Sequence, residues 1–158
     1  MISKNAELYC KDPLWKIMGY KEAKYDDSVV YDCHHKAGLY ISSKELKKKG
    51  YRLFIVSNCQ SGYIEAFLEY YKINDYIEDI ECFGNNDLPK WDNIALIIKR
   101  NNLKNPVYVG DIDNDRIAAG KAGADFIYAE YGFGDVKKYD DIIYKFGDLL
   151  RIGEEKWF

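Results

Sequence analysis

The sequence PVYVGDIDND, residues 106–115, is the stretch around which the rest of the chain is organised. Its apolar run Val107–Val109 predicts a short strand, and Gly110 permits a sharp turn into a helix. Asp111 then lies at the carboxyl end of the strand and Asp115 in the first helical turn, so both carboxylates converge above the sheet edge. One or two carboxylates, with water and a phosphate oxygen, are how proteins hold Mg2+. The alternative is an acidic helix start without a metal.

Length and composition limit the class of protein. The chain has 158 residues, 47% of them hydrophobic, which suits one domain with an ordinary core. A net charge of -3 and a pI near 5.5 argue against a nucleic-acid-binding surface. They do not exclude a small phosphorylated metabolite whose charge is screened by a metal.

The four cysteines are widely spaced and form no Cys-x-x-Cys pair, so we expect free, reduced thiols. The first 15 residues have no apolar core of signal-peptide length, and no 18 apolar residues run together. We therefore expect a soluble protein of the cytoplasm that does not contact a membrane.

From residue 42 onward, helix and strand signals alternate. Ser42–Gly50 predicts a short helix with capping serines at its start, and Lys90 stands just before another helix. The remaining segments are strands at Tyr51–Val56, Ile77–Phe83 and Phe126–Ala129, helices at Gly62–Lys72, Arg116–Ala122 and Lys137–Leu150, and a loop at Gly84–Pro89. This alternation predicts an α/β fold with a Rossmann-like parallel sheet flanked by helices.

The first 40 residues have no clear period. A short helix is expected at Leu14–Met18, and Ser28–Tyr31 (SVVY) predicts a strand that is followed by Asp32, His34 and His35. We divide the chain into an irregular or helical N-terminal segment, residues 1–40, and an α/β core, residues 41–158.

Three polar groups of the right chemistry follow predicted strands of the core: Ser57, Lys90 and the pair Asp111 and Asp115. Each has a structural alternative. Ser57 and Asn58 could cap the helix that begins near residue 61, and Lys90 could be a surface lysine.

In this order the residues resemble the haloacid dehalogenase-like (HAD) hydrolases, most of which are Mg-dependent phosphatases. FIVSN is similar to the family's second motif, which implies that Ser57 and Asn58 bind phosphate. Lys90 stands where the third motif has a charge-neutralising lysine. VYVGDIDND looks like the fourth motif, GDxxxD, which implies that Asp111 and Asp115 bind the metal. The segments SNCQSGYIE and AGADFIYAEYGFG resemble the phosphoglycolate phosphatase-like branch.

This sequence departs from the family at the first motif. In the family it is a central strand ending in DxDx[TV], whose first Asp attacks phosphorus, and no such motif occurs here. SVVYDCHH offers Asp32 as a candidate nucleophile and His34 as a candidate acid and base. The alternative is that Asp32, His34 and His35 belong to a polar loop.

Two further interpretations of residues 1–40 stay open. They are a remnant of a helical cap whose first strand is missing from this chain, or the domain recovers a central strand from a second copy, which favours a homodimer.

The resemblance implies an enzyme that hydrolyses a small phosphomonoester with Mg2+. The alternative is a catalytically inactive or truncated domain that binds a ligand or a protein. A receiver domain of a response regulator combines similar groups, but its acids precede its lysine, whereas here they follow Lys90.

Overall fold

The computed structural model describes residues 28–156, and it describes side chains from residue 38 to residue 152. The helix expected at Leu14–Met18 lies outside the described residues. The helices are α1 Ser28–Lys48, α2 Tyr63–Tyr71, α3 Phe83–Asn86, α4 Lys90–Arg100, α5 Asp113–Ala122 and α6 Leu149–Lys156. The strands are β1 Leu53–Ser57, β2 Ile77–Cys82, β3 Val107–Gly110, β4 Asp125–Ala129 and β5 Asp141–Ile143, and 3-10 turns lie at Asn74–Tyr76 and Phe146–Asp148.

All strand pairs are parallel, as the alternating pattern predicts. β1 pairs with β2, and β3, β4 and β5 form a second sheet in that order. Helix α2 connects β1 to β2 and α5 connects β3 to β4, whereas residues 130–140 join β4 to β5 without a helix. The α/β, Rossmann-like class is therefore confirmed.

The second sheet is covered on both faces. Phe126 and Tyr128 of β4 pack against Ala119 of α5, whereas Ile127 and Ala129 pack with residues of α6. Successive strand residues point to opposite faces, so α5 and α6 cover opposite sides. This explains the apolar, nearly continuous run of β4, whose residues 126–129 are all buried.

The two sheets are separated by a gap between β1 and β3. Each of these strands is bonded on one edge only among the described residues, and every residue in them is half-buried. One side chain links these strands: the hydroxyl of Tyr108 in β3 donates to the carbonyl of Val56 in β1 at 3.1 Å. The helices also link the halves, because α1 contacts both α2 and α6, and α4 packs against α5.

The strand predicted at Ser28–Tyr31 is wrong, because these residues begin the 21-residue helix α1. The prediction that a helix starts at Ser42 is also wrong. Ser42 and Ser43 are buried inside α1, and with Leu39 and Leu46 they form a stripe at helical spacing. Two serines in this stripe hid the helical period in the sequence. The helix also runs across residue 40, where we divided the chain, and that division stays a prediction.

The final helix predicted at Lys137–Leu150 is also wrong, because Asp141–Ile143 is strand β5 and only Leu149–Lys156 is helical. The edge of β4 accounts for the difference. Asp140 exchanges two hydrogen bonds with Phe126, through its backbone amide at 3.0 Å and its carboxylate at 2.8 Å. These bonds start the strand pairing and override the helical preference of the segment.

The loop predicted at Gly84–Pro89 contains the end of the short helix α3. None of the helices in residues 28–156 is long and apolar enough to span a lipid bilayer.

Candidate active site

Asp111 and Asp115 come together at the carboxyl end of β3. Asp111 is the first residue after the strand, and α5 begins at Asp113, which places Asp115 in its first turn. The backbone amide of Asp111 donates to Oδ2 of Asp115 at 3.3 Å. Asp115 is 4% exposed, whereas Asp111 is half-buried. The convergence expected from the four-residue spacing is therefore present.

Gly110 makes room for the Asp115 side chain. A Cβ atom at position 110 would lie 2.6 Å from Cβ of Asp115 and 2.7 Å from its Oδ2, distances that real Cβ atoms do not show. The φ of Gly110 is not in the left-handed region. The glycine is thus required for close approach, and not for the sharp turn that the sequence suggested.

Lys90 lies beside the acids and pairs with one of them. It is the first residue of α4, and its Nζ forms an ion pair with Oδ1 of Asp115, 25 residues further along the chain. The two side chains are 16% and 6% exposed. This ion pair stabilises the fold, because a buried carboxylate without a neighbouring cation would lower the free energy of unfolding. The alternative of a solvated surface lysine is therefore wrong.

The loop before Lys90 is held by Asn93, which the sequence analysis missed. Asn93 is fully buried, accepts a hydrogen bond from the side-chain amide of Asn86 at 2.7 Å, and donates to the carbonyl of Leu88 at 3.1 Å. Its backbone amide also bonds to Pro89. One buried amide thus fixes the approach to α4, and a polar residue among the isoleucines of that helix was the available signal.

Glycines on the loop after β4 press against Asp111. Cβ atoms at Gly132 and Gly134 would overlap Asp111, at its side chain and its carbonyl oxygen respectively. The amide of Phe133, between them, donates to Oδ2 of Asp111 at 2.8 Å. This cradle fixes the orientation of the carboxylate. The sequence pattern GFG was visible, but its contact with a residue 22 positions away was not.

Tyr131 stands at the same cradle. Burial of its hydroxyl, together with the negative charges of Asp111 and Asp148, raises the pKa of Tyr131 to about 12. The hydroxyl therefore stays protonated at neutral pH and can donate hydrogen bonds.

Ser57 and Asn58 lie at the end of the other sheet. Ser57 is the last residue of β1, and its Oγ accepts a hydrogen bond from the amide of Cys59 at 3.2 Å. Asn58 is exposed. Neither caps α2, whose N-cap is Gly62 with a φ of 87° and no side-chain cap bond, so that alternative is wrong. The connection to the acids runs through Val56 and Tyr108.

Asp32 does not follow a strand. It lies in the first half of α1, so the strand-end position on which its candidacy rested is lost. The alternative that Asp32, His34 and His35 belong to a polar loop is also wrong, because the same helix contains them. The described side chains begin at residue 38, so the catalytic roles of Asp32 and His34 stay predictions.

Asp111 and Asp115 fit a hard cation that takes only a few of its ligands from the protein. Within the described residues, no group of three or more His, Cys, Asp or Glu side chains could hold a metal ion. Mg2+ needs only one or two carboxylates and keeps several waters. Asp111 and Asp115 supply oxygen donors of this kind, although Asp115 is shared with Lys90.

Comparisons with known proteins identify the family to which the chain is related. The model of the family described as haloacid dehalogenase-like hydrolase matches residues 10–129, well over half of the chain. No curated protein matches the sequence.

Several solved structures are similar to this chain. A predicted phosphoglycolate phosphatase from Haemophilus somnus is 26% identical with a TM-score of 0.63, over 71% of this chain and 54% of the other. A haloacid dehalogenase-like hydrolase from Bacteroides fragilis is 26% identical with a TM-score of 0.62, over 69% and 56%. A predicted phosphatase from Clostridium acetobutylicum is 20% identical with a TM-score of 0.68, over 98% and 84%, and shows the fold alone.

The present chain spans little more than half the length of the first two proteins. The family match nevertheless covers β1, β2, β3 and β4 together with every candidate site residue. The chain belongs to the haloacid dehalogenase-like hydrolase family.

Proposed function

We propose that this protein is a Mg2+-dependent phosphatase that hydrolyses a small phosphomonoester of the phosphoglycolate type. The observation that carries the proposal is the buried contact of Lys90 with Asp115, itself bonded to the backbone of Asp111. Lys90, together with a Mg2+ held by the two acids, would compensate the charge of the transferred phosphoryl group, which is the main requirement of phosphoryl transfer. The name of the Haemophilus somnus structure, a predicted phosphoglycolate phosphatase, supports this substrate class.

The roles follow from position and charge. Asp111 and Asp115 would hold Mg2+, which supplies positive charge beside the phosphate oxygens when bound. Ser57 and Asn58 would donate hydrogen bonds to the phosphate, and Lys90 would offset its charge. The Gly132–Gly134 cradle keeps the Asp111 carboxylate in one orientation, so this acid does not need to reorganise during the reaction.

A nucleophile completes the proposal. Asp32 is the candidate: its carboxylate oxygen would attack phosphorus, the substrate oxygen would leave as the alcohol after taking a proton, and water would hydrolyse the aspartyl phosphate. The structure gives Asp32 a helical backbone.

A second candidate function is ligand or protein binding without catalysis. The observation that favours it is the gap between β1 and β3, because a strand delivered into this gap would end between Ser57 and Asp111. In this proposal a second copy supplies the strand, which makes the protein a homodimer. Sedimentation equilibrium would detect that dimer, and a monomer at all concentrations would exclude it.

The first experiment is hydrolysis of p-nitrophenyl phosphate with and without Mg2+. We expect Mg2+-dependent activity that is lost in Asp111→Asn. The matched control is Asp113→Asn, two residues away, because Asp113 is exposed and pairs with Arg116 instead of Lys90. Asp113→Asn should retain the wild-type rate.

Asp32→Asn separates the two candidates. Activity lost in both Asp32→Asn and Asp111→Asn supports the phosphatase with Asp32 as nucleophile. Activity lost only in Asp111→Asn requires another nucleophile. A folded wild-type protein without activity overturns the phosphatase proposal for this chain and supports the binding function.

A further inference from the structure

Two cysteines lie side by side where β1 and β2 end. Cys82 is the last residue of β2 and the register partner of Ser57, the last residue of β1. Cys59 follows Ser57 by two residues and packs against the buried cluster to which Cys82 belongs. The chain segments beyond the strands stay together, because the amide of Gly84 donates to the carbonyl of Cys59 at 3.0 Å.

Gly84 shows how closely these segments pack. A Cβ atom at position 84 would overlap the backbone of Gln60 and Ser61, so no larger residue fits between them. The strand register and the Gly84 bond therefore place Cys59 beside Cys82, and the two cysteines share one apolar cluster. Both are free in this structure.

The two thiols differ in accessibility. Cys82 is 1% exposed, and burial together with the neighbouring Cys59 raises the pKa of the Cys82 thiol. Cys59 is half-buried. The thiolate is the reactive form of cysteine, and its oxidation follows exposure. An oxidant from solvent therefore reacts with Cys59 first. Cys82, which lies beside it, is then the resolving thiol.

We propose that Cys59 and Cys82 form a reversible disulfide that controls the Ser57–Asn58 loop. With hydrogen peroxide as the oxidant, the Cys59 thiolate attacks one peroxide oxygen, the O–O bond breaks, and the protonated second oxygen leaves as water. The sulfur of Cys82, losing its proton, then attacks the sulfenic acid of Cys59. The S–O bond breaks, the second water leaves, and the S–S bond forms. Two thiols and one peroxide thus give one disulfide and two waters.

The disulfide would affect the candidate phosphate site through Cys59, which is hydrogen-bonded to Ser57. Two neighbouring free thiols must come closer to form a covalent S–S bond, so Cys59 is drawn towards β2. Its amide donates to Oγ of Ser57, and this movement changes the direction of that hydroxyl. The effect on phosphate binding rests on the proposed function, whereas the disulfide itself does not.

The test uses the full chain with Cys10→Ser and Cys33→Ser, which leaves only the proposed pair. The reduced protein is treated with hydrogen peroxide, alkylated with iodoacetamide and analysed by intact mass and peptide mapping. We expect loss of two hydrogens, no alkylation, and a cross-linked peptide pair containing Cys59 and Cys82. Dithiothreitol should restore two alkylation sites. Two alkylated cysteines after peroxide, or overoxidised Cys59 without a cross-link, would overturn the proposal.

Single variants in the same background test the order of reaction. Cys82→Ser should leave a sulfenic acid at Cys59 that dimedone captures, because its resolving partner is gone. Cys59→Ser should leave Cys82 unmodified on the same time scale, since this thiol is buried. Faster oxidation of Cys82 in Cys59→Ser than of Cys59 in Cys82→Ser would overturn the assignment of Cys59 as the first thiol.

Control of the loop is measured separately. We expect p-nitrophenyl phosphate hydrolysis to fall roughly 10- to 100-fold in the disulfide form and to recover with dithiothreitol, because a displacement of about 1 Å in an active site has effects of this size. A disulfide that forms without changing the rate overturns the regulatory part. A disulfide that forms in a protein inactive even when reduced overturns the proposed function and leaves the disulfide standing. In that protein, an unchanged affinity for inorganic phosphate in the disulfide form would overturn the control of the loop.

Discussion

Replacing Gly110 with alanine tests whether close approach at the end of β3 builds the acidic site. The new Cβ would lie 2.6 Å from Cβ of Asp115, so the two must separate by roughly 0.8 Å to reach ordinary contact at 3.4 Å. Asp115 cannot retreat freely, because it is ion-paired with Lys90 and accepts a hydrogen bond from Asp111.

The magnitude follows from these contacts. Forcing a methyl group into a packed site costs about 1–3 kcal/mol, and the 3.3 Å bond to the Asp111 amide, worth about 1 kcal/mol, would be lost. We expect the free energy of unfolding to fall by about 2–4 kcal/mol. For a domain of this size the melting temperature then falls by about 5–15 °C.

The matched control is Gly120→Ala in the following helix. A Cβ atom there meets nothing within 4 Å, and alanine is favoured over glycine inside a helix by about 0.5–1 kcal/mol. Thermal unfolding followed by circular dichroism, with urea titration as a second measurement, should show Gly110→Ala below the wild type and Gly120→Ala slightly above it.

A double-mutant cycle isolates the contact. In an Asp115→Gly background no side chain opposes position 110, so Gly110→Ala should cost little further stability. The reasoning is refuted if Gly110→Ala unfolds at the wild-type temperature, or if its cost is unchanged when Asp115 is glycine.

Two further predictions concern charged pairs. Lys90→Met should lower the free energy of unfolding at pH 7 by about 3–5 kcal/mol, because it leaves a buried carboxylate unpaired. Lys137→Met, which breaks an exposed pair, should change the urea midpoint hardly at all, and equal effects would contradict the role of burial. Burial acts to raise the pKa of Asp79, but hydrogen bonds from Arg100 and an asparagine outweigh it and hold that pKa below its usual 3.8. This stabilisation is present above pH 3.8 and is lost as the pH falls through the lower native value, so Arg100→Gln should destabilise at pH 7 and by less in acid, where the hydrogen bond of Arg100 to the Ile80 carbonyl remains. Arg116→Gln, at an exposed pair, is the control, and an Arg100→Gln deficit as large in strong acid as at pH 7 would contradict the argument.

The polar groups of the site were largely predictable from the sequence. Asp111 and Asp115 are four residues apart across a strand end, and their convergence needs only a turn and a helix start. Lys90 was expected next to a helix start and is the first residue of α4. Its ion pair with Asp115 links two different helices, α4 and α5, and could not be inferred from sequence spacing.

The errors have physical causes. Buried serines at positions 42 and 43 interrupted the apolar period of α1, so the sequence suggested a helix cap where a long helix continues. Strand β5 depends on Asp140, whose bonds to Phe126 exist only once β4 offers its edge. Neither signal is local, and local propensity is a weak guide where tertiary contacts oppose it.

The sequence by itself determined the alternation of strands and helices and the order of hydroxyl, lysine and acids, because these depend on periodicity and turn chemistry over a few residues. Tertiary structure alone decided the gap between β1 and β3, the Tyr108 bond that bridges it, and the glycine cradle around Asp111. It also decided that Cys59 lies beside Cys82 in one apolar cluster. Each of these joins residues far apart in the chain, and only the packing of helices on the two sheets brings them within reach of one another.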